Sequence, residues 1–153
     1  MKLAEALQER ADLNRKIEEL RRRLTNNILV QEGEKPAEDP AALLRELDEA
    51  IRRLEELMSA INLTNCRTRV KGVTLTEVIA RKDALLLKIA AYRDAAHQAA
   101  LNTSRARGTE IKVKALLKAT DLQKAADQMA KEARELDNLL QETNWKTRLI
   151  EKQ

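Results

Sequence analysis

"LAEALQERADLNRKIEELRRRL", residues 3–24, sets the architecture. Leu3, Ala6, Arg10, Leu13, Ile17, Leu20 and Leu24 recur at alternating intervals of three and four, with Arg10 the misfit of the ladder. That spacing places the apolar side chains on one narrow stripe of an α-helix, the a/d seam of a coiled coil. Such a helix hides only its stripe, so it needs another helix beside it. The chain supplies one after a short break. Helical character weakens at Asn26–Asn27 and should stop by Gly33, and "GEKPAEDP" (33–40) follows as a connector. Asp39–Pro40 reads as an N-cap with proline in the first turn. A second seam then runs through Leu44, Leu47, Ile51, Leu54, Met58 and Ile61. Two seams of similar length joined by a short connector predict an antiparallel helical hairpin over residues 1–62.

The second half repeats the theme. Thr74-Leu75-Thr76-Glu77 is a capping box, and Val73 with Val78 forms the matching hydrophobic staple, so a third helix is expected over 74–102. Its apolar face runs through Ile79, Leu85, Leu86, Ile89 and Tyr92 before thinning to alanine. Thr120-Asp121-Leu122-Gln123 is a second capping box, and a ladder descends from it: Leu122, Ala126, Met129, Ala133, Leu136, Leu140, Thr143, Thr147, Ile150. This predicts a fourth helix over 120–150. The expected fold is mainly α, a single domain (1–153) built as an antiparallel helical bundle or coiled-coil hairpins with a small β-ribbon.

Composition agrees. Charged residues make up 35% of the chain, with one Trp, one Tyr and no Phe, so burial must rest on Leu, Ile, Val and Ala. Acids precede bases by four at Glu18–Arg22, Glu19–Arg23, Asp48–Arg52, Glu49–Arg53, Glu77–Arg81 and Asp127–Lys131. Each such pair contributes only about 0.2–0.5 kcal/mol and marks a solvated helix face. The most apolar stretch, Ala84 to Leu101, is broken by Lys88, Arg93, Asp94 and His97, which excludes a membrane span. The N-terminus meets Glu5 before any signal-like apolar run, and the single cysteine, Cys66, excludes an internal disulfide framework. A cytoplasmic protein is expected, with Cys66 a small buried residue.

Two segments, 63–73 and 103–118, resist the helical reading. "TNCRTRVKGV" (64–73) alternates and ends in a Lys-Gly turn signal, and "TEIKVKA" (109–115) alternates apolar with lysine. Both are expected to be extended or to form the β-ribbon. Alternation would set Arg67, Arg69 and Lys71 on one face, and Lys112 and Lys114 on another. The net charge of +4 divides into −3 over residues 1–62, +8 over 63–118 and −1 over 119–153. The positive excess, Arg105 and Arg107 included, makes this ribbon a candidate anion or nucleic-acid surface. No aromatic side chain interleaves with it to stack on bases. Lysines guarding a strand edge, or meeting an acidic subunit surface, are the favoured explanation.

A second candidate is polar. Asp137, Gln141 and Asn144 share one helical stripe, and Asn138, Gln141 and Trp145 the adjoining one. Asn62, Thr64, Asn65 and Thr68 lie where the second helix ends, and Arg81 and Asp83 two turns into the third. Converging, they would form a small-molecule or cation pocket. The favoured alternative is a buried hydrogen-bond network that fixes helix register, with the indole filling a gap that leucine cannot. His97 has no second histidine and no cysteine at ligand spacing, and no phosphate-loop, dinucleotide or hydrolase motif occurs. Neither metal nor cofactor is expected, and no enzymatic role.

"AINLTN" (60–65), "VTLTEVIARKD" (73–83), "TEIKV" (109–113) and "ARELDNLLQETNW" (133–145) together resemble a family of small bacterial helical proteins, some labelled septicolysin. The resemblance spans nearly the whole chain and implies a mainly helical protein without an assigned activity. Its motif positions fall on Asn62, Thr64, Asn65, Arg81, Asp83, Asp137, Gln141, Asn144 and Trp145, and Lys82 stands where arginine is expected. The label implies a membrane-active protein, yet a lone tryptophan is little for an inserting surface. The reading that follows is a structural or interaction protein, a self-assembling helical scaffold and homo-oligomer. Anion or nucleic-acid binding and septicolysin-like membrane activity are the alternatives.

Overall fold

The structure is a computed structural model and describes residues 1–101 and 111–152. It is mainly α: helices α1 (Leu3–Asn27), α2 (Pro40–Arg67), α3 (Leu75–Leu101) and α4 (Ala119–Lys146), with a two-stranded antiparallel ribbon of β1 (Arg69–Val70) and β2 (Val73–Thr74). The chain divides into two compact units: Met1–Thr68 with Thr143–Gln153, and Arg69–Glu142.

The first unit is built on the α1–α2 hairpin. Asp39 caps α2 by accepting a hydrogen bond from the Ala41 N–H at 3.1 Å, with Pro40 behind it in the first turn. Ion pairs fix the antiparallel register. Glu9 meets Arg53, Lys16 meets Glu46 and Arg23 meets Glu38 just before α2, so the partners step back along the second arm as they climb α1. Between them Ile17 and Leu20 pack with Leu43, Leu47 and Ala50, flanked by Leu13, Leu24 and Leu54.

The α2 seam differs from the expected one at every second rung. The hidden ladder is Leu43, Leu47, Ala50, Leu54, Leu57, Ile61 and Thr64. Leu44, Ile51 and Met58 are instead 48%, 45% and 47% exposed. The two ladders share Leu47, Leu54 and Ile61, and their other rungs are comparably apolar, so spacing alone could not choose between them.

Two helix ends differ from expectation, one longer and one shorter. α2 continues through Asn62 to Arg67, where Thr64–Arg67 were expected extended. The helical ladder of α4 ends at Lys146, so Thr147 and Ile150 are not helical. Residues 147–150 instead lie antiparallel to the N-terminus. Leu3 N–H donates to the Thr147 carbonyl at 2.8 Å and Leu149 N–H to the Met1 carbonyl at 3.0 Å, around a Lys2–Arg148 bridge. These bonds occupy backbone groups that a helix end leaves without partners.

In the second unit the chain turns through "RVKGVT" (69–74) into α3. Lys71 and Gly72 have φ of +51° and +84°, the two left-handed residues of a type I′ hairpin turn. Thr74 and Glu77 then close the expected capping box: Thr74 N–H donates to the Glu77 carboxylate at 2.7 Å, and Glu77 N–H to the Thr74 hydroxyl at 3.2 Å. The second box does not form. α4 starts at Ala119, Leu122 N–H bonds the Lys118 carbonyl, and Gln123 donates to Asp127 at 3.0 Å. Thr120 therefore sits inside the first turn, too late to cap it. Leu85, Ile89 and Ala133 form the α3–α4 core with Met129, Ala130 and Leu136 against them. Among the described residues, 111–118 hold no strand, so the second half of the expected ribbon is absent there; Arg105, Arg107, Thr109 and Glu110 lie outside the described residues.

Candidate functional site

Of the nine polar positions, Asn62, Thr64, Asn65, Asn144 and Trp145 lie in the first unit and Arg81, Asp83, Asp137 and Gln141 in the second. Within the first, Thr64 is the decisive residue. It is fully buried, the last rung of the α2 seam. Its hydroxyl donates to the Ala60 carbonyl at 2.7 Å and accepts the Ile150 N–H at 2.8 Å. A hydroxyl has one proton to give, and here it goes back to the helix while a lone pair holds the C-terminal segment. Asn62 is exposed, and Asn65 and Asn144 are half-buried. Trp145 fills no gap: it is 54% exposed. The buried side of α4 recurs at Ala133, Leu136, Leu140 and Thr143, and two residues past Thr143 a helix points almost the opposite way. Cys66, expected buried, is exposed for the same kind of reason, two positions beyond Thr64.

In the second unit Asp137 receives the Lys82 ammonium at 2.8 Å. Lys82 is the main cause of a carboxyl held below its ordinary range, and a hydrogen bond from Gln141 adds to it. Lys82 was not among the predicted residues, because the partner of a long side chain across two helices leaves no trace in local spacing. Arg81 reaches Glu132 through Nη2 at 2.9 Å and Nε at 3.2 Å, an exposed pair, and Asp83 is exposed.

The five predicted cations lie on different elements. Arg67 ends a helix, Arg69 lies on β1, Lys71 occupies the turn, and Lys112 and Lys114 are exposed outside any strand. The alternation that would have aligned the first three breaks where α2 continues and where the hairpin turns. Arg69 also donates to the Gly72 carbonyl at 3.1 Å. Its charge helps hold Glu77 below the usual carboxylate range, after the larger effects of the Thr74 N–H and hydroxyl.

The chain matches the Family of unknown function (DUF6847) over residues 10–149. It belongs to that family. A functionally unknown conserved protein from Corynebacterium diphtheriae, seen in a crystal structure, is 41% identical with a TM-score of 0.91, over 98% of this chain and 99% of that one. No curated protein matches. Neither likeness carries an activity, and neither bears on the septicolysin label.

This member of the DUF6847 family also has two grooves that spacing did not reveal. One, of about 640 Å³, lies between α2 and the C-terminal segment, with Arg52, Arg53 and Lys152 mixed among Glu55, Glu56 and Glu151. The other, of about 560 Å³, runs between α3 and α4, and the Lys82–Asp137 pair lines it. No helix among the described residues is long and apolar enough to cross a membrane.

Proposed function

We propose that this protein is a non-enzymatic, self-associating helical scaffold whose copies pair through α2. The observation that carries the reading is the ridge Leu44, Ile51 and Met58. These three large apolar side chains stand at seven-residue intervals, each nearly half exposed, on a helix whose other stripe is already buried. A heptad ridge of this kind matches a second helix lying along it.

The flanking charges favour a second copy of the same chain. Arg45, Asp48, Arg52 and Glu55 are exposed and alternate in sign beside the ridge. Reversed against itself, that order sets Arg45 opposite Glu55 and Asp48 opposite Arg52. The same reversal sets Leu44 opposite Met58 and Ile51 opposite its own copy, within one residue of the same centre. The patch is therefore self-complementary about a two-fold axis, the commonest symmetry of homo-oligomers. An anion or nucleic-acid surface finds less support, because the alternation expected to align Arg67, Arg69 and Lys71 is broken where α2 runs on through Arg67 and where Lys71 enters the turn.

Absolute mass by light scattering on a sizing column tests the proposal. The wild type should elute as a dimer or a multiple of one, and Ile51→Glu, which opposes two like charges at the axis, should elute as a monomer of unchanged helicity. A monomeric wild type, or an Ile51→Glu protein of unchanged mass, would overturn it.

A further inference from the structure

The α3–α4 groove has a different character from the α2 ridge. Leu86 and Ile89 of α3 and Ala130 and Ala133 of α4 line it, and Leu86 is 50% exposed there. Arg93 and Arg134 also line it, and neither guanidinium has an acidic partner among the described residues. Lys82 is already committed to Asp137. The lining thus combines an apolar floor with two uncompensated cations. Between Lys82 and Arg93 the groove follows about 16 Å of α3, at ~1.5 Å per residue. Its volume of about 560 Å³ lies within the usual span of small-molecule sites.

We infer that this groove binds a single-chain anionic amphiphile, an alkyl chain carrying a carboxylate or phosphate head. The chain lies along Leu86 and Ile89 over the two alanines, whose small side chains leave it room. The head is held by Arg93 or by Arg134, whose planar forks each suit either oxyanion. A neutral amphiphile would leave both cations without a partner. A short anion would forgo the apolar floor. The site thus asks for both halves of the ligand together.

Titration calorimetry with dodecanoate and dodecyl phosphate below their micellar concentrations, alongside dodecanol and butyrate, tests this. Expected is saturable binding of at least one of the two anions at one per chain, with dodecanol and butyrate at least tenfold weaker. The tighter of the two anions identifies the head. The double variant Arg93→Gln/Arg134→Gln should lose at least tenfold in affinity without a change in melting, because both side chains are exposed. Leu86→Asp should lose as much through the floor. Non-saturating uptake, equal binding of dodecanol, or wild-type affinity in the double variant would overturn the assignment.

Discussion

The two helical pairs use the same interval of three and four and reach different ends. α1 and α2 run close together over most of their length, with leucine and isoleucine meeting from both sides and ion pairs spaced along the seam. α3 and α4 share a small core of Leu85, Ile89 and Ala133, and the ion pairs between them among the described residues, Arg81–Glu132 and Lys82–Asp137, sit at one end. On α4 alanine takes two of the three buried rungs, Ala126 and Ala133, where α2 buries Leu43, Leu47, Leu57 and Ile61 beside its alanines. An alanine rung keeps the helical stripe without supplying the volume to close it. One pair becomes a sealed hairpin and the other keeps a groove. Periodicity thus decides that helices pair, and side-chain volume decides whether a space remains between them.

Truncating one leucine in each pair tests that contrast most severely. Leu20 is almost fully buried between α1 and α2, with neighbours that cannot close on a void, so Leu20→Ala should cost about 3–4 kcal/mol. Leu85 is nearly as buried, but its cluster includes Ile89, which lines the groove and has room to move. Leu85→Ala should cost only about 2 kcal/mol. Urea unfolding followed by circular dichroism gives both numbers. Equal losses would mean that the second pair is packed as tightly as the first, and the contrast would collapse.

A smaller effect probes how the first unit is finished. Thr64→Val keeps the shape of a buried rung but leaves the Ile150 N–H without its acceptor, a loss of about 1–3 kcal/mol. Hydrogen exchange localises it: the Ile150 amide should exchange faster while amides around Leu20 keep their relative order, and Thr64→Ser should retain most of the protection. If Ile150 exchanges alike in wild type and Thr64→Val, the C-terminal segment is held by its bonds to Met1 and Leu3 alone.

The same contrast explains what was legible in the sequence. α1, its partner helix, the Asp39 cap and the Thr74–Glu77 box were readable because each is a local pattern with one physical solution. The α2 seam was half readable, since Leu44, Ile51 and Met58 compete with Leu43, Ala50 and Leu57 and only the packed partner distinguishes them. "TRLIEKQ" (147–153) continues the rungs of a helix, and nothing local says that it leaves α4 to pair with Met1 and Leu3. Thr64 was named within a polar set, but its role depends on that distant segment. Lys82 and the groove arise from two helices meeting, a fact with no local signature.

The smallest expected difference is electrostatic. Arg53 grips Glu9 with two hydrogen bonds, Nε at 2.7 Å and Nη2 at 3.0 Å, and holds its carboxyl below the ordinary 4.5. Lys82 makes a single bond to Asp137 and holds that carboxyl below the ordinary 3.8. In both cases the unfolded chain takes up the proton at higher pH than the folded one. The stability these pairs add is therefore complete above the ordinary values, and it is lost as pH falls through them toward the lower folded values. All four side chains are roughly a quarter to nearly half exposed, so solvent screens both pairs. Near neutral pH, Glu9→Gln should cost about 0.5–1 kcal/mol and Asp137→Asn about 0.2–0.5 kcal/mol, the two-bond pair being the stronger. Melting curves taken from about pH 7 down to about pH 3 should converge with wild type at the acid end for both variants, since protonation removes the same charge that each substitution does. A gap that stays constant across that range would mean that the Glu9 side chain contributes packing along the hairpin and not charge. A larger loss for Asp137→Asn would place the stronger electrostatic clamp in the more open helical pair.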